Sequence, residues 1–550
     1  MSPRRRHAPC RLAHFAILVA AALVASTAGG MLQAQQVAQP AQPTQHPGSA
    51  ELITAEQLRD YLFFIASDEM EGRRAPSRGL DLTAKFIALN LSRWGVKPAG
   101  DDGSFLQMIE LERTTTDAAA SFVEVAGRRF AYGDGFLASI APGSGSGPLV
   151  YAGHGWVVPE LGIDPYEGLE VSGALVVVTG AAPGEATREQ LAAEGVQRPA
   201  PYLAQHGARA IITVPSSRTL QRWERSVEIA AQRGSTRVVG LDAAGPALPQ
   251  ITASPELVRA LFAGTSMGAE AVLAAADGEN PGVPFTFGAD AAFAVAVHTE
   301  TIWTQNVVGI VEGSDPERAG EYVALGAHYD HVGIGNPVDG DAIYNGADDD
   351  GSGTTALLAL AEAFAGGERP RRSLLFVWHT GEEVGMWGSR YINEQPPVPL
   401  PQVVAALNID MIGRSRAAGD TNPANDTLTG PEEVYIIGPG VQSAELGEIL
   451  DQVNDGYLGL TFNPMYDTTD HPERFFFRSD HINYARNGIP IAFFFSGVHE
   501  DYHRPSDHAD KIDYEKMLKI TRTIYASAWE LAMRDGRPAL NAELPEAIRR

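Results

Sequence analysis

Short uninterrupted apolar runs alternate with helix-periodic segments through the second half of the chain. Tyr322-Val323-Ala324-Leu325-Gly326-Ala327, Leu374-Leu375-Phe376-Val377-Trp378, Val403-Val404-Ala405-Ala406-Leu407 and Ile489-Pro490-Ile491-Ala492-Phe493 each read as a buried strand. Helical segments over 353–365 and 386–394 separate some of them, and a helix over 513–533 closes the pattern. This alternation predicts an α/β fold with a mixed, centrally parallel sheet flanked by helices. Nearer the start, Thr54 and Gln57 form a capping-box pattern, and Leu58, Tyr61, Leu62 and Ile65 follow at helical spacing. A second helix runs through Leu82, Phe86 and Leu89 towards Gly95. The texture changes between 121 and 295. There, runs such as Ala174-Leu175-Val176-Val177-Val178 and Ala210-Ile211-Ile212-Thr213-Val214 alternate with Gly, Pro and Ser clusters. This segment reads as an inserted β-rich domain, which makes the α/β domain discontinuous, over 51–120 and 296–550.

Residues 1–34 have the pattern of a secretory signal. Arg4, Arg5, Arg6 and Arg11 precede or open an apolar stretch, Phe15 to Ala25, that is too short to span a bilayer. Residues 35–50, rich in Gln, Pro and Ala without periodicity, read as a flexible linker. The single cysteine, Cys10, falls inside the leader, so an exported chain has neither disulfide nor thiolate. A periplasmic or secreted location suits that usage. Net charge is −26; the leader holds four arginines and no acid or lysine, which leaves −30 for the remainder. Such a surface argues against nucleic acid as a partner and against stable membrane association once the leader is gone.

Charge also concentrates locally. Gly346-Ala347-Asp348-Asp349-Asp350-Gly351-Ser352-Gly353 sets three adjacent carboxylates between glycines, just ahead of the 353–365 helix. Three like charges in a folded site call for a positive partner. Polar residues follow each strand run: His328, Tyr329, Asp330 and His331; Gly381, Glu382 and Glu383; Asn408, Ile409, Asp410 and Met411; His499, Glu500, Asp501, Tyr502 and His503. Open α/β sheets bind ligands beyond the carboxyl ends of their strands, so these segments can converge on one crevice. His328, Asp349, Glu383, Asp410 and His503 form a thiolate-free donor set suited to zinc, and less selectively to cobalt or manganese. Five donors serve two metals if one carboxylate bridges them, and Glu382, left over beside a ligand, stands where a general base belongs. The run from His499 to His503 also matches HExxH, but Gly497 and Pro505 leave no room for the long helix that motif needs. Only His503 is taken as a ligand.

The motifs Gly326-Ala327-His328-Tyr329-Asp330, Gly346 through Gly353, Gly381-Glu382-Glu383, Asn408-Ile409-Asp410-Met411 and Tyr502-His503 occur in one order. In these motifs the chain resembles the di-zinc exopeptidases: aminopeptidase Y, bacterial leucyl aminopeptidases, glutamate carboxypeptidase II and the glutaminyl cyclases. The resemblance spans roughly 300–535 closely and 51–112 loosely. It implies the zinc exopeptidase fold and two zinc ions per chain. Asp349 would bridge both metals, with His328 and Asp410 on one and Glu383 and His503 on the other. Asp330 would orient His328, and Glu382 would pass a proton from a metal-bridging water to the leaving amine. Tyr502 would stabilise an oxyanion. Asp348 and Asp350 are expected to face solvent, cap the following helix or bond locally. The 121–295 insert resembles, more loosely, the protease-associated (PA) domain.

The implied function is that of an exported aminopeptidase acting on the N-termini of peptides. A glutamate-carboxypeptidase-like exopeptidase needs basic groups for substrate carboxylates, and only Arg414, Arg478 and Arg504 are candidates near the motifs. A glutaminyl-cyclase-like acyltransferase uses one zinc, and a non-catalytic binding protein has no need of Glu382. The preferred N-terminal residue and the oligomeric state are not encoded in these patterns.

Overall fold

The computed structural model describes residues 48–232, 234–243 and 248–549. The leader at 1–34 and nearly all of the 35–50 linker lie outside those residues. The described end of the linker departs from the expectation of a flexible segment. The Ser49 N–H donates to the Tyr525 hydroxyl at 2.8 Å, and Ala50 is fully buried.

The larger sheet follows the expected alternation. Its order from one edge is Thr461–Asn463, Glu433–Ile437, Ile491–Phe495, Val403–Ile409, Tyr322–His328, Ser373–His379, Val297–Val311, Leu106–Thr116 and Ser235–Val238. Lys97–Pro98 pairs separately with Val297–Val311. The four central strands run parallel; Glu433–Ile437 and Val297–Val311 border them antiparallel on either side, and Thr461–Asn463 runs parallel to Glu433–Ile437. The mixed, centrally parallel α/β architecture read from the sequence is therefore the one that forms.

Period two explains how both sheet faces are buried. Val323, Leu325 and Ala327 join Leu374, Phe376 and Trp378 in one apolar cluster, together with residues of the helices Ala55–Ile65, Arg78–Arg93, Gly353–Gly366 and Tyr514–Met533. The intervening Ala324, Leu375 and Val377 pack on the other face with Ile392, Ile482 and Ala485. Helix Gly353–Gly366 is apolar on nearly every side because it is enclosed on nearly every side, and Phe364 stacks on Tyr525 with ring centroids 4.0 Å apart. Each leucine or phenylalanine buried there contributes about 1.5–3 kcal/mol. The Thr54 capping box forms as its sequence predicts, with the Gln57 N–H donating to Thr54 Oγ1 at 3.1 Å.

A second sheet of eight strands draws on residues between Phe122 and Val295, with its own apolar cluster. The chain reaches and leaves it along a long antiparallel ladder, from Leu106 opposite Val307 to Thr116 opposite Val297. One strand crosses the 121–295 boundary drawn from sequence texture. Ser235–Val238 pairs with Leu106–Thr116 in the larger sheet, and Arg237 binds Glu112 at 2.8 Å.

The chain after the last long helix is held by a buried cation. Arg372 is fully buried; its guanidinium reaches Glu321 Oε2 at 2.7 Å and the carbonyls of Leu531, Asp535 and Gly536 at 2.9–3.2 Å. Burial works against ionisation of Glu321, but hydrogen bonds from Arg537 and Arg372 pull its pKa down to about 2. Glu321→Gln should cost about 2 kcal/mol at neutral pH, because charged hydrogen bonds to a buried guanidinium are lost. Because the folded-state pKa is depressed, this contribution is present above pH 4.5 and fades as the pH falls towards 2. Urea unfolding of both proteins at pH 7 and at acid pH measures it; equal midpoints at pH 7 would refute the clamp.

Candidate metal centre

His328 ends its strand level with His379 on the neighbouring strand, and Asp410 directly follows Val403–Ile409. Parallel register thus brings both to the same edge of the sheet. His328 Nε2 lies 3.4 Å from Asp349 Oδ1 and 3.6 Å from Asp410 Oδ2. The other oxygen of Asp349, Oδ2, lies 3.0 Å from His503 Nε2, which is also 3.0 Å from Glu383 Oε2. The five candidate donors therefore fall into two groups that share Asp349. The segment carrying His503 is a turn, not a helix, and His499 points elsewhere, with its Nε2 3.2 Å from Asp348 Oδ2.

The Asp run is presented by a loop whose backbone depends on two glycines. Gly346 adopts φ +58°, and a Cβ there would collide with the His331 ring. A Cβ on Gly353 would strike the Asp350 carboxylate and the Ile409 carbonyl. Arg73, fully buried, props the loop from below: it donates to the carbonyls of Asn345 at 2.6 Å, Gly346 at 2.8 Å and Tyr329 at 3.0 Å. Burial lowers its pKa, and the nearby carboxylates of Asp349, Asp330, Asp350 and Asp507 oppose that. The sequence offered no signal for Arg73, which reaches the loop from a turn ahead of the Arg78–Arg93 helix.

Asp348 and Asp350 do not face solvent; both are fully buried. Asp348 Oδ1 accepts from the Gly413 N–H at 2.6 Å. Asp350 Oδ1 accepts from the Gly353 N–H at 2.9 Å, which ties the first residue of the helix, and from the Met411 N–H at 3.1 Å. The N–H groups of Asp348 and Asp349 both donate to Asp507 Oδ2, at 2.9 and 3.3 Å. The outer aspartates thus fix the loop, and Asp349 is left facing the crevice.

Asp330 holds His328 differently from expectation. Its backbone carbonyl lies 3.1 Å from His328 Nδ1, whereas the carboxylate oxygen is 3.8 Å away. That carboxylate instead accepts the Glu382 N–H at 3.1 Å, which ties the loop bearing Glu382 and Glu383 to the strand end bearing His328. Burial raises the Asp330 carboxyl to about 7 and pushes Glu382 well above the usual carboxylate range. The Tyr502 ring stacks on His503 with centroids 3.9 Å apart, and burial pushes its hydroxyl pKa up, so it stays protonated. A second buried pair lies beneath: His379 Nδ1 stands 3.3 Å from Asp480, and its Nε2 is 2.9 Å from the Tyr484 hydroxyl.

The donor atoms fit a metal better than they fit one another. Asp349 Oδ2, Glu383 Oε1 and His503 Nε2 are buried without a hydrogen-bond partner, although opposite groups stand within ion-pair distance. Native proteins rarely leave buried polar atoms unpaired, and a cation between them removes the penalty. Burial acts to lower the His503 pKa, but Asp349 and Glu383 override it and push it up to about 10, a measure of the negative field at this position. Only nitrogen and oxygen donors are present, which suits zinc, cobalt or manganese.

A family comparison matches this part of the chain. Residues 306–528 match the model described as peptidase family M28. The segment so matched is less than half of the chain. It is 30% identical over 227 residues to a probable leucine aminopeptidase of Arthroderma benhamiae, covering 40% of this chain and 56% of that protein. It is also 30% identical over 230 residues to leucine aminopeptidase 1 of Ajellomyces capsulatus, covering 40% and 55%. The chain therefore spans little more than half the length of the curated relatives it matches. Among solved structures, the aminopeptidase from Aneurinibacillus sp. strain AM-1 superimposes with a TM-score of 0.51 at 16% identity, over 90% of this chain and 97% of that one. At that identity the likeness speaks for the fold. The M28 match takes in all five candidate donors together with Asp330, Glu382 and Tyr502. Among the described residues no helix is long and apolar enough to cross a membrane.

Proposed function

We propose that this chain is an exported di-zinc aminopeptidase that releases N-terminal residues from peptides. The observation that carries the reading is the division of Asp349, with Oδ1 against the His328 and Asp410 group and Oδ2 against the His503 and Glu383 group. His328, Asp349 and Asp410 would hold one zinc, and Asp349, Glu383 and His503 the other. Bound zinc supplies Lewis acidity that polarises the scissile carbonyl and lowers the pKa of the attacking water.

The remaining residues supply proton transfer and alignment. Glu382 takes the proton of the attacking water on its carboxylate and returns it to the leaving amine as the peptide C–N bond breaks. Asp330 positions two partners at once, His328 through its carbonyl and the Glu382 backbone through its carboxylate. Tyr502, held against His503, donates its hydroxyl to the developing oxyanion. One of the arginines that a carboxylate-recognising exopeptidase would need is already engaged: Arg414 binds Asp501 at 3.0 Å. That supports the aminopeptidase reading over the carboxypeptidase one. Export rests on the leader-like pattern of 1–34, and a PA-domain role for 121–295 in shaping access rests on its loose resemblance.

A side-by-side assay tests this. Aminoacyl p-nitroanilides and free-N-terminus peptides should be cleaved and N-blocked peptides should not; chelation should abolish activity, and added zinc should restore it. Release of C-terminal residues from N-blocked peptides would overturn the reading.

A further inference from the structure

His331 lies outside the donor set just described, yet it is built into the same site. It is fully buried; its backbone N–H donates to the Arg73 carbonyl at 3.2 Å, and its ring occupies the space that the absent side chain of Gly346 leaves. Neither ring nitrogen has a hydrogen-bond partner. Nδ1 nevertheless stands 2.8 Å from Glu383 Oε1 and 3.7 Å from Asp349 Oδ2, and the ring meets that of His503 edge-on with centroids 5.6 Å apart. His331, Asp349 and Glu383 offer three donor atoms within 4.8 Å of one another.

A buried polar atom left unpaired is destabilising. An imidazole nitrogen aimed at the same two carboxylates that converge on His503 is placed to share a cation with them. Nitrogen and oxygen donors at about 2.0–2.1 Å from a tetrahedral zinc lie roughly 3.3 Å apart. The separations here, 2.8 and 3.7 Å for His331 and 3.0 and 3.0 Å for His503, bracket that value.

We propose that His331 Nδ1 is a further protein donor at the Glu383 and His503 position, a deepening that rests on the di-zinc reading. The two positions are then unequal. His328, Asp349 and Asp410 leave one with room for substrate, whereas His331, Asp349, Glu383 and His503 make the other richer in protein donors and so tighter. Stepwise chelation should therefore remove the zinc at His328 first.

X-ray absorption on the fully zinc-loaded wild-type chain tests the assignment without a variant. Three imidazoles shared between two zinc ions are expected, and two would overturn it. In His331→Gln, zinc titration should show one site at wild-type affinity and the other weakened by at least about 100-fold, beyond the usual range for an outer-shell change. Thermal unfolding of the metal-free forms shows whether the variant folds; if it does not, the wild-type imidazole count decides. A folded variant that binds both zinc ions with wild-type affinity would overturn the role of His331 alone. A wild-type chain that binds fewer than two zinc ions would instead overturn the di-zinc reading beneath it.

Discussion

Glu382→Gln should lower kcat by about 10³-fold, the scale of a lost general base. Zinc should stay near two per chain and KM should change little. Glutamine matches glutamate in shape and keeps the backbone N–H that Asp330 accepts at 3.1 Å, so the loop bearing Glu383 stays in place. What it removes is the capacity to hold a proton between water and leaving amine. The readouts are kcat and KM on an aminoacyl p-nitroanilide, with zinc by atomic absorption on the same sample. Full activity would remove Glu382 as the base. Loss of one zinc with the activity would assign it to the metal instead.

The large features were legible because they are local. Apolar runs between turn residues marked the central strands, and period two placed their side chains on opposite faces of one sheet. His328, Asp410 and the Glu382–Glu383 pair could be named because each follows such a run, and strand ends in a parallel sheet lie at a common edge. Tertiary contacts decided the rest. Arg73 looks like an ordinary turn residue until folding places it under the Asp run. Of the roles open to Asp348 and Asp350, the local bond forms where Asp350 accepts from Gly353, whereas exposure to solvent is ruled out by N–H donors that Gly413 and Met411 supply from a distant strand end. Asp330 uses its carbonyl on His328 and its carboxylate on Glu382, a division of labour that sequence spacing does not specify. His331 was visible as a histidine after a strand, but its direction depends on Gly346 having no side chain. The strand Ser235–Val238 was hidden in β-rich texture, since pairing partners, unlike pattern, are not written locally.

Asp349→Ala should lose both zinc ions' normal affinity together, with activity falling at least as far as in Glu382→Gln. Each oxygen of this carboxylate faces a different group, so one truncation takes a donor from both positions. His328 and Asp410 are left at one and Glu383, His503 and His331 at the other, with no group common to the two. The fold should persist, because the bond from the residue-349 N–H to Asp507 is a backbone contact that alanine retains. Removing a carboxylate from a crowd that includes Asp410 and Glu383 also relieves repulsion in the metal-free protein. Zinc linkage then separates the two proteins. Free zinc at 100 to 1,000 times Kd stabilises a native chain by about 2.7–4.1 kcal/mol. Wild-type protein should therefore unfold at a higher temperature when zinc is added, and Asp349→Ala should show little shift. Two zinc ions retained at wild-type affinity in the variant would refute the bridge, and an equal thermal shift in both proteins would place the metals elsewhere.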